Sequence, residues 1–301
     1  MQEVLILMST YNGETYIRAQ IESILKQRDV NVRLLVRDDG SNDQTLTILE
    51  QYHQEGMLDW YQGGNLRSAY SFWDLLMKAP RCDYYAFADQ DDVWYEDKMI
   101  SAIDQLKEHG DQPALYFCRK HLVDQDLKPL HVDDELVTHL GLGTNLLHCH
   151  AAGCTMVFNY ALMNILRLYK PEVMSMHDSW ILRVASACGS VLYDPIVHMD
   201  YRQHGGNVVG ASGSSLAILK KRLKTITSRR QDHERTTMAK QLYEHYGDLI
   251  KTSEDRMMLS AFANIPSSQK ARWKLIRSGY LQPHNKKETI FVKLIVFLGW
   301  I

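Results

Sequence analysis

The sequence has no Cys-x-x-Cys pair, and its five cysteines (Cys82, Cys118, Cys149, Cys154 and Cys188) are odd in number and widely spread. A reducing compartment is the better fit than an oxidising one. An excess of one charge is also missing. The 34 lysines and arginines stand against 36 acids, a formal net charge of −2, so no whole-protein field argues for nucleic acid. No basic segment precedes the first apolar run. Val4-Leu5-Ile6-Leu7-Met8 follows Met1 almost at once and ends in Ser-Thr-Tyr-Asn, which reads as a first buried strand and not as an export signal. The protein is therefore expected to begin and stay in the cytoplasm. The apolar tail from Ile290 to Ile301 has twelve residues with Lys293 among them, fewer than the about twenty that a bilayer span needs. What is left is an ordinary soluble composition, 45% hydrophobic and 23% charged. The 301 residues suffice for one large domain, or one domain with a sizeable appendage.

The most informative stretch is Tyr84–Trp94. Five strand-forming residues, Tyr84 to Ala88, run straight into Asp89, Asp91 and Asp92. In an alternating strand–helix protein the carboxyl end of a strand is where ligands bind. Three acids within four residues repel one another unless a cation shares them. Oxygen-only ligands favour Mg²⁺ or Mn²⁺ over zinc or copper, and such an ion suits a phosphate-bearing substrate. The competing explanation is a plain turn, with Asp92 capping a helix that starts near Glu96. One cap needs one acid, and here there are three. His148-Cys149-His150 with Cys154 superficially resembles a metal cluster too. Neighbouring residues on a strand point to opposite faces, so these four are read as structural.

Taken in order, Val4–Met8 is a strand followed by the loop Ser9–Gly13, then a helix with Ile17, Ile21, Ile24 and Leu25 on one face. Val32–Val36 is a second strand and also ends in acids, in Asp38-Asp39-Gly40-Ser41-Asn42-Asp43. A helix around Leu46–Tyr52, a short strand at Leu58–Gln62, a turn at Gly63-Gly64-Asn65 and a helix over Ser68–Met77 lead to Tyr84. This alternation predicts an α/β domain with a mostly parallel sheet and helices on both faces. Ala114–Cys118 is a further strand, and 121–142 is polar and irregular, with Asp124, Asp126, Asp133, Asp134 and Glu135. Small residues at Ala151–Cys154 lead into an apolar strand ending at Phe158, a place for close ligand approach or simply for packing. Asp178 sits where an N-cap would, before a helix over Ile181–Cys188 that Gly189 stops. Strands at Ser190–Tyr193 and Ile196–Met199 precede Tyr201–Gly210, whose Arg202 and His204 would suit phosphate or lie in a surface turn. Beyond Leu216 come a basic block (Lys220, Lys221, Arg222, Lys224, Arg229, Arg230), a helical stretch over Glu234–Ser260 and the apolar tail. The tail either anchors the chain on an anionic membrane surface or packs on the core or a second subunit.

Several of these motifs together resemble glycosyltransferase family 2. They are Ser9–Gly13, Asp38–Asp43, Asp89-Gln90-Asp91-Asp92 with Trp94, Gly153-Cys154-Thr155, His177-Asp178-Ser179-Trp180, and Tyr201–His204 with Asn207-Val208. The resemblance covers most of residues 1–210 and is greatest to bacterial rhamnosyltransferases of cell-wall rhamnan, O-antigen or capsule synthesis. It implies a GT-A, Rossmann-like catalytic domain over 1–215; the stretch 216–301 lies outside the resemblance and is read from its residues as a helical, basic and amphipathic extension. It also implies that Thr10, Tyr11, Asn12, Asp39, Asn65, Asp89 and Arg202 bind the nucleotide-sugar. Asp89, Asp91, Asp92 and His204 would hold Mn²⁺ or Mg²⁺, and Asp178 would be the general base. The implied reaction is an inverting transfer from dTDP-L-rhamnose to a saccharide or lipid-linked saccharide, with peripheral contact on the inner face of the cell membrane. An inverting displacement needs acids in two places, a cluster for the metal and a separate base, and the sequence supplies both. A UDP-hexose or UDP-N-acetylhexosamine donor is the alternative, because a few loop residues such as Asn65 and Gly153 shape the sugar pocket. A nucleotidyltransferase is disfavoured, since Ser9–Gly13 has one glycine and no basic residue before Arg18. A scaffold without chemistry is disfavoured by the intact acids.

Overall fold

The computed structural model describes residues 1–130, 136–204, 233–283 and 286–301. Val4 to Met8 are all buried because β1 (Gln2–Thr10) lies inside an eight-stranded sheet, between β2 (Val30–Asp38) and β4 (Tyr84–Ala88). Successive side chains of a strand point to opposite faces, so an unbroken apolar run feeds two cores at once. Leu5 and Leu7 join Phe72 and Trp73 of α3 (Arg67–Lys78) on one side. Val4, Ile6 and Met8 join Ile17, Ile21 and Ile24 of α1 (Ile17–Leu25) on the other.

The remaining strands are β3 (Asp59–Gln62), β5 (Val93–Trp94), β6 (Ala114–Val123), β7 (Met156–Asn159) and β8 (Ser190–Arg202). Their order across the sheet is β3-β2-β1-β4-β7-β6-β8-β5. Strands β3, β2, β1 and β4 are mutually parallel, as the strand–helix alternation predicts. Beyond β4 the sheet is mixed: β7 runs antiparallel to both β4 and β6, β8 is parallel to β6, and β5 is antiparallel to β8. The chain winds outward from β1 to β3 and then returns to β4 on the other side of β1. The crevice at the carboxyl ends of β1 and β4 is thus a topological switch point, where open α/β sheets bind ligands.

Two helices flank β3 and β5, α2 (Thr45–Gln54) and α4 (Lys98–Leu106). Asp97 stands at the N-cap of α4, so Asp92 is not its cap. The two strands expected between Ser190 and Met199 are one, β8. Its register against β6 jumps from Asp194 to Val197 because Pro195 has no N–H to give the ladder. The short helices α5 (Leu142–Leu147) and α6 (Tyr160–Leu166) precede α7 (His177–Cys188).

The stretch expected as one helix over 234–260 is two, α8 (Glu234–Tyr246) and α9 (Ser253–Ala263), with a 3₁₀ turn at Gly247–Leu249 between them. They are followed by α10 (Gln269–Ser278) and α11 (Lys286–Leu298). Met238, Leu242, Phe262, Leu275 and Val296 from these helices lie in the same apolar layer as α3 and α7. Among the described residues, no helix is long and apolar enough to cross a membrane. Asp133, Asp134, Glu135, the run Gly205–Gly210 with Asn207 and Val208, the basic block Lys220–Arg230 and the expected boundary at 215/216 lie outside the described residues.

Candidate active site

The floor of the crevice is a junction between the ends of β1 and β4. Gln90 Oε1 accepts from Thr10 Oγ1 at 2.5 Å and from the Tyr11 amide at 2.8 Å, and Gln90 Nε2 donates to the Tyr11 carbonyl at 3.2 Å. A Cβ on Gly13 would collide with the Gln90 amide and the Thr10 hydroxyl, so a larger residue there would have to displace this junction. Thr10 is buried and its hydroxyl is engaged here, whereas Tyr11 is 47% exposed and offers an aromatic surface. Asn12 closes a second junction: its amide donates to Ser41 Oγ at 2.8 Å, and its Oδ1 accepts from the Asn42 amide at 3.0 Å.

At the end of β2 the two acids are internal. Asp38 accepts from the Gly40 and Ser41 amides at 2.9 Å, in a turn that Gly40 makes at φ +92°. Asp39 pairs with buried Arg37 and accepts from the Leu66 and Arg67 amides at 2.8 and 2.9 Å. Asp39 therefore holds the exposed Asn65 loop against the crevice rim.

The acid cluster divides. Asp91 Oδ2 lies 2.7 Å from His204 Nε2. This meeting depends on β5, an element not foreseen from sequence: Val93 pairs with Asp200 and Trp94 with Met199, which lays the chain after β4 alongside the end of β8. Arg202, buried on the same strand end, donates to the carbonyls of Asp91 (2.8 Å) and Gln125, while its amide donates to Asp92 Oδ1 at 3.2 Å. Tyr16 backs both groups, with the Arg202 guanidinium 4.5 Å over its ring and the His204 ring 5.0 Å away.

Asp89 and Asp92 turn toward Cys154, and their ligand atoms lie within 4.8 Å of one another. Loss of water, then the charge of Asp91, pushes the Asp89 carboxyl up to about 7. Asp92 is raised well above the usual carboxylate range by burial and by both neighbouring acids. Burial also raises the Cys154 thiol, so its sulfur is a neutral S–H rather than a thiolate ligand. His148, Cys149 and His150 do not join Cys154 in this group.

The cluster fits a divalent cation. Asp92 Oδ2 is buried without a hydrogen-bond partner, and burial with mutual repulsion drives Asp89 and Asp92 to hold protons even with Lys98 beside them. Carboxylate oxygens with one imidazole suit Mn²⁺ or Mg²⁺.

Asp178 reaches the site from a different element. It lies in the first turn of α7, not at the N-cap, which is Met176, and its Oδ1 accepts from the Ser179 amide at 2.5 Å. Its charge contributes to the raised pKa of Asp89, so the two carboxylates are electrostatic neighbours across the crevice.

This arrangement, acids at the end of β4 joined to His204 and a separate acid at the start of α7, occurs in a chain whose residues 5–166 match the sequence profile of the glycosyl transferase family 2. The chain belongs to glycosyl transferase family 2. It is 29% identical over 234 residues to the dTDP-rhamnosyl transferase RfbG of Shigella flexneri, covering 71% of this chain and 77% of that protein. Its fold is that of the GT-A enzymes. Residues 1–349 of S. aureus TarS superpose with a TM-score of 0.59 at 18% identity, over 99% of this chain and 80% of that one, and TarS has also been solved with UDP-GlcNAc. The mannosyltransferase PcManGT of Pyrobaculum calidifontis, in complex with GDP-Man and Mn²⁺, gives 0.52 at 13% identity, over 99% and 81%.

Two residues beside this candidate site, Lys98 and Arg37, escaped the sequence reading, and a third, His177, was read only as part of a motif and given no role. Lys98 is fully buried under the cluster. Its Nζ donates to the Cys154 carbonyl at 2.5 Å and lies 3.4 Å over the Trp94 ring, and burial pulls its pKa down to about 8. Arg37 underlies the Asn65 loop, where a Cβ on Gly63 would collide with its guanidinium. His177 stacks on Phe72 at 4.1 Å, with no hydrogen bond to either ring nitrogen, and a Cβ on Gly153 would collide with it. The first two lie in runs that read as a helix surface and a strand interior, and no local signal marked them.

His177 carries a pH prediction. Burial pushes its pKa from 6.5 down to about 4, so the folded ring stays neutral while the unfolded one protonates. Its contribution to stability is whole above pH 6.5 and is lost as pH falls toward 4. Asp89 works in the opposite sense, so the comparison to make is with His177→Phe. Between pH 7 and 4.5 the wild type should lose about 2 kcal/mol relative to that variant in denaturant unfolding. A constant difference would show that the ring finds a proton partner in the fold.

Proposed function

We propose that the chain is an inverting, divalent-metal-dependent rhamnosyltransferase. It would use dTDP-L-rhamnose and a saccharide acceptor, lipid-linked at the inner face of the cell membrane, in bacterial surface polysaccharide synthesis. The observation that carries this reading is the separation of the acids into two groups: Asp91 with His204 and Asp89 on one side, Asp178 on the other. In a single displacement the acceptor oxygen bonds to the anomeric carbon as the bond to the diphosphate breaks. Asp178 takes the acceptor hydroxyl proton. Asp89, Asp91, Asp92 and His204 would hold Mn²⁺ or Mg²⁺, and the ion would supply positive charge for the departing diphosphate. Tyr11 offers its exposed ring to the base. Thr10, Asn12 and Asp39 shape the nucleotide end through their bonds to Gln90, Ser41 and the Asn65 loop. Arg202 braces the metal side through the Asp91 carbonyl.

The rhamnosyl donor is supported by the motifs from Asp89 to Trp94 and Tyr201 to His204 and by the likeness to RfbG. A UDP-hexose or UDP-N-acetylhexosamine donor is the second reading, favoured by the likeness to TarS. Calorimetry of dTDP-L-rhamnose against UDP-sugars, each with and without Mn²⁺, decides between them. Tighter, metal-dependent binding of the rhamnose donor is expected. A preference for uridine transfers the proposal to the second donor, and binding of no nucleotide-sugar ends both.

A further inference from the structure

Helix α11 is apolar on two opposite faces. Val292, Ile295 and Val296 are buried in the layer shared with α10, whereas Ile290, Leu294, Phe297 and Leu298 are between 36 and 73% exposed. The exposed four, at offsets of four, seven and eight, form a continuous stripe. A surface helix ordinarily turns a polar face outward; this one turns a second apolar stripe. The stripe continues onto α10. Phe297 packs edge-on to Trp273, with centroids 5.7 Å apart, and Trp273 is itself 46% exposed.

Cations border the apolar strip. Lys270, Trp273, Lys274 and Arg277 fall within about a third of the circumference of α10, at about 100° per residue. Arg277 lies 5.3 Å over the Trp273 ring. A groove of about 540 Å³ opens along α9 and α10, with Arg256, Lys270 and Lys274 beside Ser253 and Asn264. From Ile265 to Ile301 the sequence has seven lysines and arginines and one acid, Glu288, in a chain of net charge −2.

We propose that α10 and α11 form a docking surface for an anionic lipid bilayer. Ile290, Leu294, Phe297 and Trp273 enter the acyl boundary, and Lys270, Lys274 and Arg277 meet headgroup phosphates. At about 1.5 Å per residue α11 is too short to span the bilayer, and its inner face is fixed to the protein, so it lies in the interfacial plane. A two-fold contact between copies of the chain would set these cations against themselves, which favours lipid as the occupant. This assignment rests on the membrane reading of the proposed function and gives it residues.

The test is co-sedimentation of the full chain with vesicles of phosphatidylcholine alone and with phosphatidylglycerol added, alongside transfer or donor hydrolysis in solution. The wild type should bind only the anionic vesicles and be released by salt. Lys270→Gln with Lys274→Gln and Arg277→Gln should weaken binding about 100-fold. Trp273→Ala with Phe297→Ala should weaken it about ten-fold or more. Both variants should keep nucleotide-sugar binding in solution, which shows that they fold. Wild-type protein left in the supernatant, or variants that bind undiminished, would overturn the docking surface. So would a dimer in light scattering that the Trp273→Ala and Phe297→Ala changes dissolve. Vesicle binding that behaves as expected in a protein inert toward every nucleotide-sugar supports the surface and counts only against the proposed reaction.

Discussion

Asp178→Asn should lower transfer by about 10³-fold and leave nucleotide-sugar affinity unchanged. Asparagine keeps the shape of the side chain and an oxygen for the Ser179 amide, which now bonds Oδ1 at 2.5 Å. It removes only the capacity to take a proton. Asp178 stands in the first turn of α7 and makes no bond to the Asp91–His204 pair, so the change leaves that pair in place, and the charge it removes is one that disfavours ionised Asp89. Initial rates with a saccharide acceptor, set beside calorimetry with the donor alone, separate the two effects. Transfer at near wild-type rates would reduce Asp178 to an acid that favours the positive end of a helix.

Asp91→Asn should abolish most of the benefit that Mn²⁺ gives to donor binding, a loss of about 100-fold. The substitution isolates the carboxylate, since the Asp91 carbonyl that accepts from Arg202 is untouched. His204→Ala should have the same effect. Combining the two should cost little more than either, because residues that serve one site are not additive. Wild type measured with a chelator should match the single variants. Donor affinity that ignores Mn²⁺ in the wild type, or metal dependence that survives Asp91→Asn, would remove the ion from the mechanism.

The parts of the molecule that could be read from sequence are those governed by local periodicity. Tyr84–Ala88 reads as a strand because five apolar residues stop at an acid, and β4 has those limits. The parallel half of the sheet follows from alternating strand and helix. Arg202 and Asp39 show where reading stops. Their residue types suggested ligand contacts, and the fold adds what the types alone do not show: Arg202 donates to the Asp91 and Gln125 carbonyls, and Asp39 pairs with Arg37 and accepts from the Leu66 and Arg67 amides. A sequence shows what a side chain can bond and not which partner tertiary packing supplies. The two-residue β5 is too short to carry a periodic signal, yet it brings His204 to Asp91. Lys98 looks like any helix lysine until the cluster above it is assembled.

The Gln90 junction joins two strands that are already neighbours in the sheet, so this side of the crevice is fixed by the parallel register of β1 and β4. The opposite wall, with Gly153, His177 and Asp178, arrives from stretches some 60 to 90 residues later in the chain. If the proposed function holds, substitutions there would reshape which sugar is accepted and where it is attached while leaving the Gln90 junction in place. On the proposed function, donor grip and product identity would then vary separately, and one unchanged half-site could serve several products.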